Sequence, residues 1–503
     1  MGLLFPSEKR WDQRGLDAPD GNYLITRWDE HHVEVLSDAS ASRTGWYAFT
    51  DSSLFVSSSM RVLVALLGNL ELDDEAVSWV LGTGCLGPDR AWDRRIKMLP
   101  PDTILRLDRK SWTLSIDTKP ISFSAAKTCR KEDLRQAIKQ TLASITPVAH
   151  RELSLSGGVD SRGLLMMMPE AQRPSTFSIK AASELRTLQD DVAIAARVAD
   201  ASKTRHELVE FDDLNTPLSV AMDRFFRLAE GRVDHFSAAA GGWTQWKALH
   251  EKGTSSILRG DEGFGWSHAL SEEQVQTEIG VSGLHRHFTE EQITNFGLKR
   301  YSLPPRLTRE EEESLEDWRD RLYHQHRLPV ILSALTEAKA GYVDVINPFL
   351  SRHILKTVRA MASRDRTEKA AFRELVAELL PSVPYATKAA HRSVSAIMGS
   401  DEFKAIATKA LRSRPANEIF SQELREYALG RLNAGPKRGS RPTLGRIARR
   451  LFPAKIVTRL RAAKHSGIRP IEPGTLAFRM VMIAEMVRML EEDATLLKGQ
   501  YGR

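Results

Sequence analysis

The stretch Leu153-Ser154-Leu155-Ser156-Gly157-Gly158-Val159-Asp160-Ser161 constrains this chain more than any other, because a short apolar run breaks there into two glycines, an acid and a hydroxyl. Glu152 to Leu155 reads as a buried strand, and Arg162 to Met168 as the first turns of a helix that Pro169 closes. Glycines between a strand and a helix take backbone angles forbidden to other residues and let peptide N–H groups approach a ligand closely. The helix N-terminus adds unpaired N–H groups and partial positive charge, so the natural guest is a phosphate or pyrophosphate. Asp160 would repel that guest unless a divalent cation lay between them, which points to magnesium.

Around this loop the sequence alternates strand and helix. A helix is expected over about Lys131 to Ile145, then strands at Glu152 to Leu155 and Thr176 to Ile179, a helix over Leu188 to Ala201, and a strand at His206 to Phe211. A helical pattern from Leu218 to Lys252 leads to the strand Ser255 to Leu258. That rhythm predicts an α/β fold of parallel strands with helices on both faces and ligands at the carboxyl ends of the strands. Upstream, about Asp20 to Asp117 alternates apolar and polar positions in short runs such as Val33-Glu34-Val35-Leu36, and reads as β-rich with one helix near Met60 to Leu67. Trp243 and Trp246, three residues apart, read as core packing.

At 503 residues, with 42% hydrophobic and 27% charged, the chain has the composition of a soluble globular protein of two or three domains. No apolar run reaches the roughly 20 residues of a membrane helix, and acids appear by Glu8, so a cytoplasmic protein is expected. Two cysteines, Cys85 and Cys129, make neither a disulfide framework nor a metal cluster. Between Lys437 and Lys464 basic residues recur without an acid, interleaved with Leu444, Ile447, Leu451, Ile456 and Leu460. Such basic amphipathic helices fit an acidic partner, or a solvated face packed on the domain by its leucines.

The loop resembles the SGGxDS loop of the ATP pyrophosphatases, enzymes that split ATP to AMP and pyrophosphate while adenylating a substrate oxygen. A second string, Arg259-Gly260-Asp261-Glu262-Gly263-Phe264-Gly265-Trp266, is similar to the asparagine synthetase box Gly-x-Asp-Glu-Leu-Phe-Gly-Gly-Tyr. Asn347-Pro348-Phe349-Leu350-Ser351 resembles that family's Pro-Phe-Leu-Asp signature with serine for aspartate, and Lys369, Arg373, Leu380-Pro381 and Lys388 follow in the family's order. The resemblance implies ATP contacts at Leu155, Ser156, Gly157, Gly158, Asp160, Ser161, Ile179 and Gly260, magnesium carboxylates at Asp160 and Asp261, and catalytic roles for Lys388 and Glu262. Competing readings are a core β-branched residue for Ile179, a loop acid for Glu262 and a surface lysine for Lys388. The acid or tyrosine that the family commonly places three residues before the second aspartate is Leu258 here.

The order Asp20-Gly21, Arg27-Trp28-Asp29, Trp46-Tyr47, Leu54-Phe55-Val56-Ser57-Ser58 and Leu99-Pro100-Pro101 is similar to the second half of the family's N-terminal glutaminase domain. The nucleophilic cysteine of that domain has no counterpart, since Gly2 follows Met1. The expected organisation is a truncated, degenerate glutaminase-like β-rich remnant over residues 1–120, a parallel-sheet ATP-pyrophosphatase domain with a helical C-terminal part over 121–395, and a basic helical extension over 396–503. The implied activity is an ATP- and Mg²⁺-dependent amide-forming ligase: a small-molecule or peptide carboxylate is adenylated, then attacked by free ammonia, by ammonia from a separate glutaminase, or by an amine. The alternatives are an intramolecular amide cyclase of the lasso-peptide or β-lactam synthetase type and a non-catalytic nucleotide-binding scaffold.

Overall fold

The alternating N-terminal segment closes into antiparallel sheets. In the computed structural model, which describes residues 2–5, 11–119, 128–145, 148–181, 190–211, 216–236, 243–261, 263–380, 382–386, 397–434 and 467–497, this part holds eight strands. They are β1 (Gly2–Leu4), β2 (Gly21–Trp28), β3 (His32–Ser37), β4 (Trp46–Phe49), β5 (Leu54–Ser57), β6 (Lys97–Met98), β7 (Thr103–Asp108) and β8 (Thr113–Thr118). Their orders are β1-β2-β3-β7-β8 and β5-β4-β6. Between them lie α1 (Met60–Leu67) and α2 (Asp74–Thr83), each started by a side-chain cap, Ser59 or Asp73, and ended by a left-handed glycine, Gly68 or Gly84.

The second half of the fold begins with α3 (Lys131–Ser144), β9 (Arg151–Ser154) and α4 (Val159–Met167). There follow β10 (Ser175–Ala181), α5 (Asp191–Ala201), β11 (His206–Phe211), α6 (Leu218–Ala229), α7 (Thr244–Glu251), β12 (Ser256–Leu258) and β13 (Asp344–Ile346). The five strands pair in parallel in the order β11-β10-β9-β12-β13. The chain moves outward from β9 to β10 and β11, then returns to place β12 on the other side of β9. The strand order therefore reverses between β9 and β12, and in an open parallel sheet such a reversal opens a crevice at the carboxyl edge.

Both faces of this sheet are apolar. Phe177, Val209, Ile257 and Val345 enter one core, shared with α1, α2 and α6, while Leu153, Leu155, Leu258 and Ile346 enter another with α3, α4 and α5. The helix Pro473–Asp493, in the segment read as a C-terminal extension, lies in the first of these cores. Arg479 on it bonds Asp234 at 2.7 Å and the carbonyls of Leu81 and Gly82, and its Asp493 receives Arg61 at 2.6 and 2.8 Å. The basic run 437–464 lies outside the described residues.

Local differences from the expected elements have simple causes. Helix α4 starts at Val159 instead of Arg162, because Gly158 takes the cap position and Asp160 can sit in the first turn, where a negative charge is favoured. The stretch Leu218 to Lys252 is divided, since Glu230 and Gly231 both take left-handed backbone (φ +51° and +61°) and end α6. Helix α5 is described from Asp191, so the first residues of the expected helix lie outside the described ones.

Candidate active site

The loop between β9 and α4 is held by its own serines. The Ser156 amide donates to Ser161 Oγ at 2.9 Å, the two hydroxyls are 2.9 Å apart, and the Gly158 amide meets Ser156 Oγ at 3.3 Å. Ser178 on β10 donates to the Leu155 carbonyl at 2.7 Å, and the Leu155 amide bonds the Phe177 carbonyl at 2.8 Å, which fixes the loop's entry to the sheet. Gly157 donates to Asp191 Oδ1 at 3.0 Å, and its carbonyl accepts from Ala386 at 3.2 Å. A Cβ at Gly157 would stand 2.6 Å from the Ala386 Cβ, so no larger residue fits without moving a neighbour. Among the described residues no side chain caps α4, so its first turn keeps the partial positive charge that favours an anion.

The second rim comes from β12. The Arg259 amide donates to the Ile346 carbonyl at 2.9 Å, and the next residue, Gly260, packs so closely that a Cβ there would lie 2.8 Å from the Asp160 carbonyl carbon and 2.9 Å from the Ser161 nitrogen. The second signature string thus touches the first turn of α4. Asp261 pairs with Arg259 (Nε–Oδ2 3.3 Å, Nη2–Oδ1 3.4 Å). Ile179 lies half-buried on β10, opposite Val209 of β11. Glu262 and Lys388 lie outside the described residues.

The structure brings Lys369 to Asp160, with Nζ 2.8 and 2.9 Å from the two carboxylate oxygens. It gets there through a turn in which Glu368 and Lys369 both have positive φ, +59° and +57°. Two consecutive non-glycine residues in that region are costly and mark a turn held by its surroundings. Those surroundings are the second string: the Glu368 amide donates to the Trp266 carbonyl at 2.8 Å, and Arg366 is buried against Asp320 and Asp317. Phe264 of the same string stacks on Phe372 at 4.2 Å, just past Lys369.

Two further residues tie distant parts of the sequence to the loop. Arg162 is buried and donates to the Val383 and Pro384 carbonyls at 2.6 and 2.8 Å, with Tyr385 over its guanidinium at 4.3 Å. It fixes the segment that reaches Ala386, two residues before Lys388 in the sequence. At the other end of the second core, Ser351 donates to Asp20 Oδ2 at 2.6 Å and the Arg352 amide to Asp20 Oδ1 at 2.7 Å. Asp20, just ahead of β2, thus sets a carboxylate against the Ser351 hydroxyl. Buried His324 accepts from Arg359 Nε on Nδ1 at 2.7 Å, and burial and that cation push its pKa well down, so it is neutral and gives its Nε2 proton to the Gly263 carbonyl.

As a magnesium site the described residues supply two carboxylates, Asp160 and Asp261, each already paired with a base; no group of three or more metal-ligating side chains occurs among them. They fit Mg²⁺ that brings phosphate oxygens of its own, the usual mode of that ion. Sequence reasoning placed the loop and the acids; it missed Arg162 and Asp191, although the pair Asp190-Asp191 ahead of an apolar helix is a cap signal.

Residues 130–261 match the family model of asparagine synthase. No curated protein matches the chain.

Proposed function

Through residues 130–261 the chain belongs to the asparagine synthetase superfamily, a family of ATP-dependent amide-forming ligases, and we propose that it adenylates a carboxylate and passes the acyl group to an amine. The observation that carries this reading is the contact between the two rims: Gly260 lies against Asp160 and Ser161, so the acid-bearing string after β12 and the uncapped helix start after β9 face one ligand.

In the first step a substrate carboxylate oxygen attacks the α-phosphorus of ATP, the α–β phosphoanhydride bond breaks, and pyrophosphate leaves with the bond's electrons. In the second an amine nitrogen attacks the acyl carbon, gives up a proton, and displaces AMP as the acyl C–O bond breaks. The glycine loop and the first amides of α4 bind and orient phosphate oxygens, and Lys369 moves from Asp160 to offset their charge. Lys388 is assigned to the departing pyrophosphate, Ile179 and Gly260 to the nucleoside, and Glu262 to the substrate side. Magnesium held by Asp160 and Asp261, when bound, supplies charge neutralisation at the phosphates.

On this reading the amine is free ammonia, ammonia from a separate glutaminase, or an amine of the substrate itself. Cys85 is buried and its thiol is pushed up to about 11, chiefly by that burial, which leaves no thiolate for glutamine hydrolysis there. Exchange of labelled pyrophosphate into ATP, dependent on an added carboxylate, tests the reading. Release of ADP and phosphate without exchange would overturn it, and glutamate release from glutamine by the purified chain would overturn the external amine source. Among the described residues no helix is long and apolar enough to cross a membrane.

A further inference from the structure

Three buried hydrogen-bond donors beside the second rim are not used by anything described so far. Trp243 and Trp246, at the start of α7, are 0% and 5% exposed, and neither indole N–H has a partner. Lys339, 4% exposed, lies with Nζ 5.8 Å from the Trp243 ring and 5.5 Å from the Trp246 ring, and spends one proton on the Leu335 carbonyl one helical turn back. Burying a donor without an acceptor costs about 1–3 kcal/mol, so two such indoles side by side, with a buried ammonium against their rings, call for an explanation. Packing alone does not give one. A core wall at these positions would be served by phenylalanine and leucine, which lose nothing on burial.

The place of the cluster is informative. Helix α7 runs into β12, so its first residues lie toward the carboxyl edge of the sheet, the edge that carries the crevice. Trp243 itself takes left-handed backbone, φ +65°, a conformation rare for a bulky residue. The charges that act on Lys339 are Arg259 and Asp261, the two residues after β12 that face the loop.

Resting on the ligase reading above, we propose that Trp243, Trp246 and Lys339 form a pocket for a carboxylate group of the acyl substrate. Two indole N–H groups and an ammonium match the two oxygens of a carboxylate in number and sign. The indole faces form apolar walls that strengthen a charge-assisted hydrogen bond by excluding water. Arg259 adds positive potential behind the ammonium, while Asp261, paired to that arginine, does not compete for it. An amine or a neutral aliphatic ligand would leave all three donors as they are, and so gains nothing here.

The test is equilibrium binding to the intact, nucleotide-free chain, followed by tryptophan fluorescence and thermal shift. The probes are acetate, propionate, benzoate and L-aspartate, each paired with its amide. At least one carboxylate should bind about tenfold or more tightly than its amide. Lys339→Met should lose that preference, and Trp246→Phe, which keeps the ring and deletes one N–H, should weaken it several-fold while the protein stays folded by circular dichroism. If no carboxylate outperforms its amide, or if both variants bind like the parent, the pocket is wrong. Failure of the ligase reading is seen separately. Absent pyrophosphate exchange with intact Lys339-dependent binding sinks only the chemistry, whereas exchange without any Lys339 dependence of carboxylate affinity sinks only the pocket.

Discussion

The two rims of the crevice are built on opposite plans. On the β9 side the polar groups of the loop are braced: Ser156 against Ser161, Gly157 against Asp191 and Ala386, Leu155 against Ser178 and Phe177. On the β12 side Trp243 and Trp246 keep buried N–H groups without acceptors, and a lysine is buried between charges of both signs. A braced rim costs nothing to hold ready and suits a ligand that never varies, as the proposed nucleoside triphosphate does not. A rim with unmet donors lowers the stability of the empty protein and regains it only when the right acceptor arrives. Discrimination is strongest in that arrangement, because a wrong ligand leaves the donors unpaired. The comparison therefore assigns constancy to β9 and selectivity to β12.

The sharpest way to break the braced rim is Gly157→Val. Its side chain would be forced onto Ala386, Ile194 and the Asp191 carbonyl, and would push apart the loop and the segment leading to Lys388. Pyrophosphate exchange should fall on the order of a thousandfold, since misplacement and lost anion contacts combine, while circular dichroism stays near the parent's. An active Gly157→Val enzyme would show that the loop does not touch phosphate. The next largest effect is that of Lys369→Ala, expected to lose on the order of a hundredfold in kcat with ATP affinity changed far less, as befits a charge that acts on the reacting phosphates. Near-normal turnover in that variant would reduce the contact with Asp160 to a structural ion pair, and Lys388→Ala would then have to carry the whole effect.

What the sequence disclosed, and what it hid, follows the same divide. The strand, loop and helix around Ser156 to Ser161 were legible because every constraint there is local: apolar run, glycines, then a helix start. The sheet's parallel character followed from strand and helix rhythm, and both cores confirm two apolar faces. Lys369 was visible only as a residue in family order, since its reach to Asp160 depends on left-handed backbone at two residues that carry no glycine signal. Trp243 and Trp246 were legible as buried, yet a spacing of three says which face is inside and nothing about whether an indole N–H finds a partner. The helix Pro473–Asp493 carried its own signal, apolar residues on nearly every side, the pattern of a helix buried all round.

The smallest predicted effect is the most direct probe of the unbraced rim. Burial, and the positive charge of Arg259 beside it, push Lys339 down to about 7, while Asp261 pulls the other way without winning. In the unfolded chain the same lysine titrates near its ordinary value of 10.5. Below about pH 7 it is protonated in both states and the folded protein bears the full cost of a buried ammonium. Between about 7 and 10.5 the unfolded state binds more protons than the folded one, so this residue makes stability rise with pH across that window. Lys339→Met abolishes the contribution. The variant's melting temperature should exceed the parent's most at pH 6 to 7, and the gap should narrow steadily toward pH 9.5. A gap independent of pH would mean that Lys339 titrates normally, and the β12 rim would then be no less settled than the β9 rim. If the gap narrows in plain buffer but not in a saturating carboxylate that binds the parent, the ligand is keeping the proton on Lys339, which is what an acceptor seated between the two indoles should do.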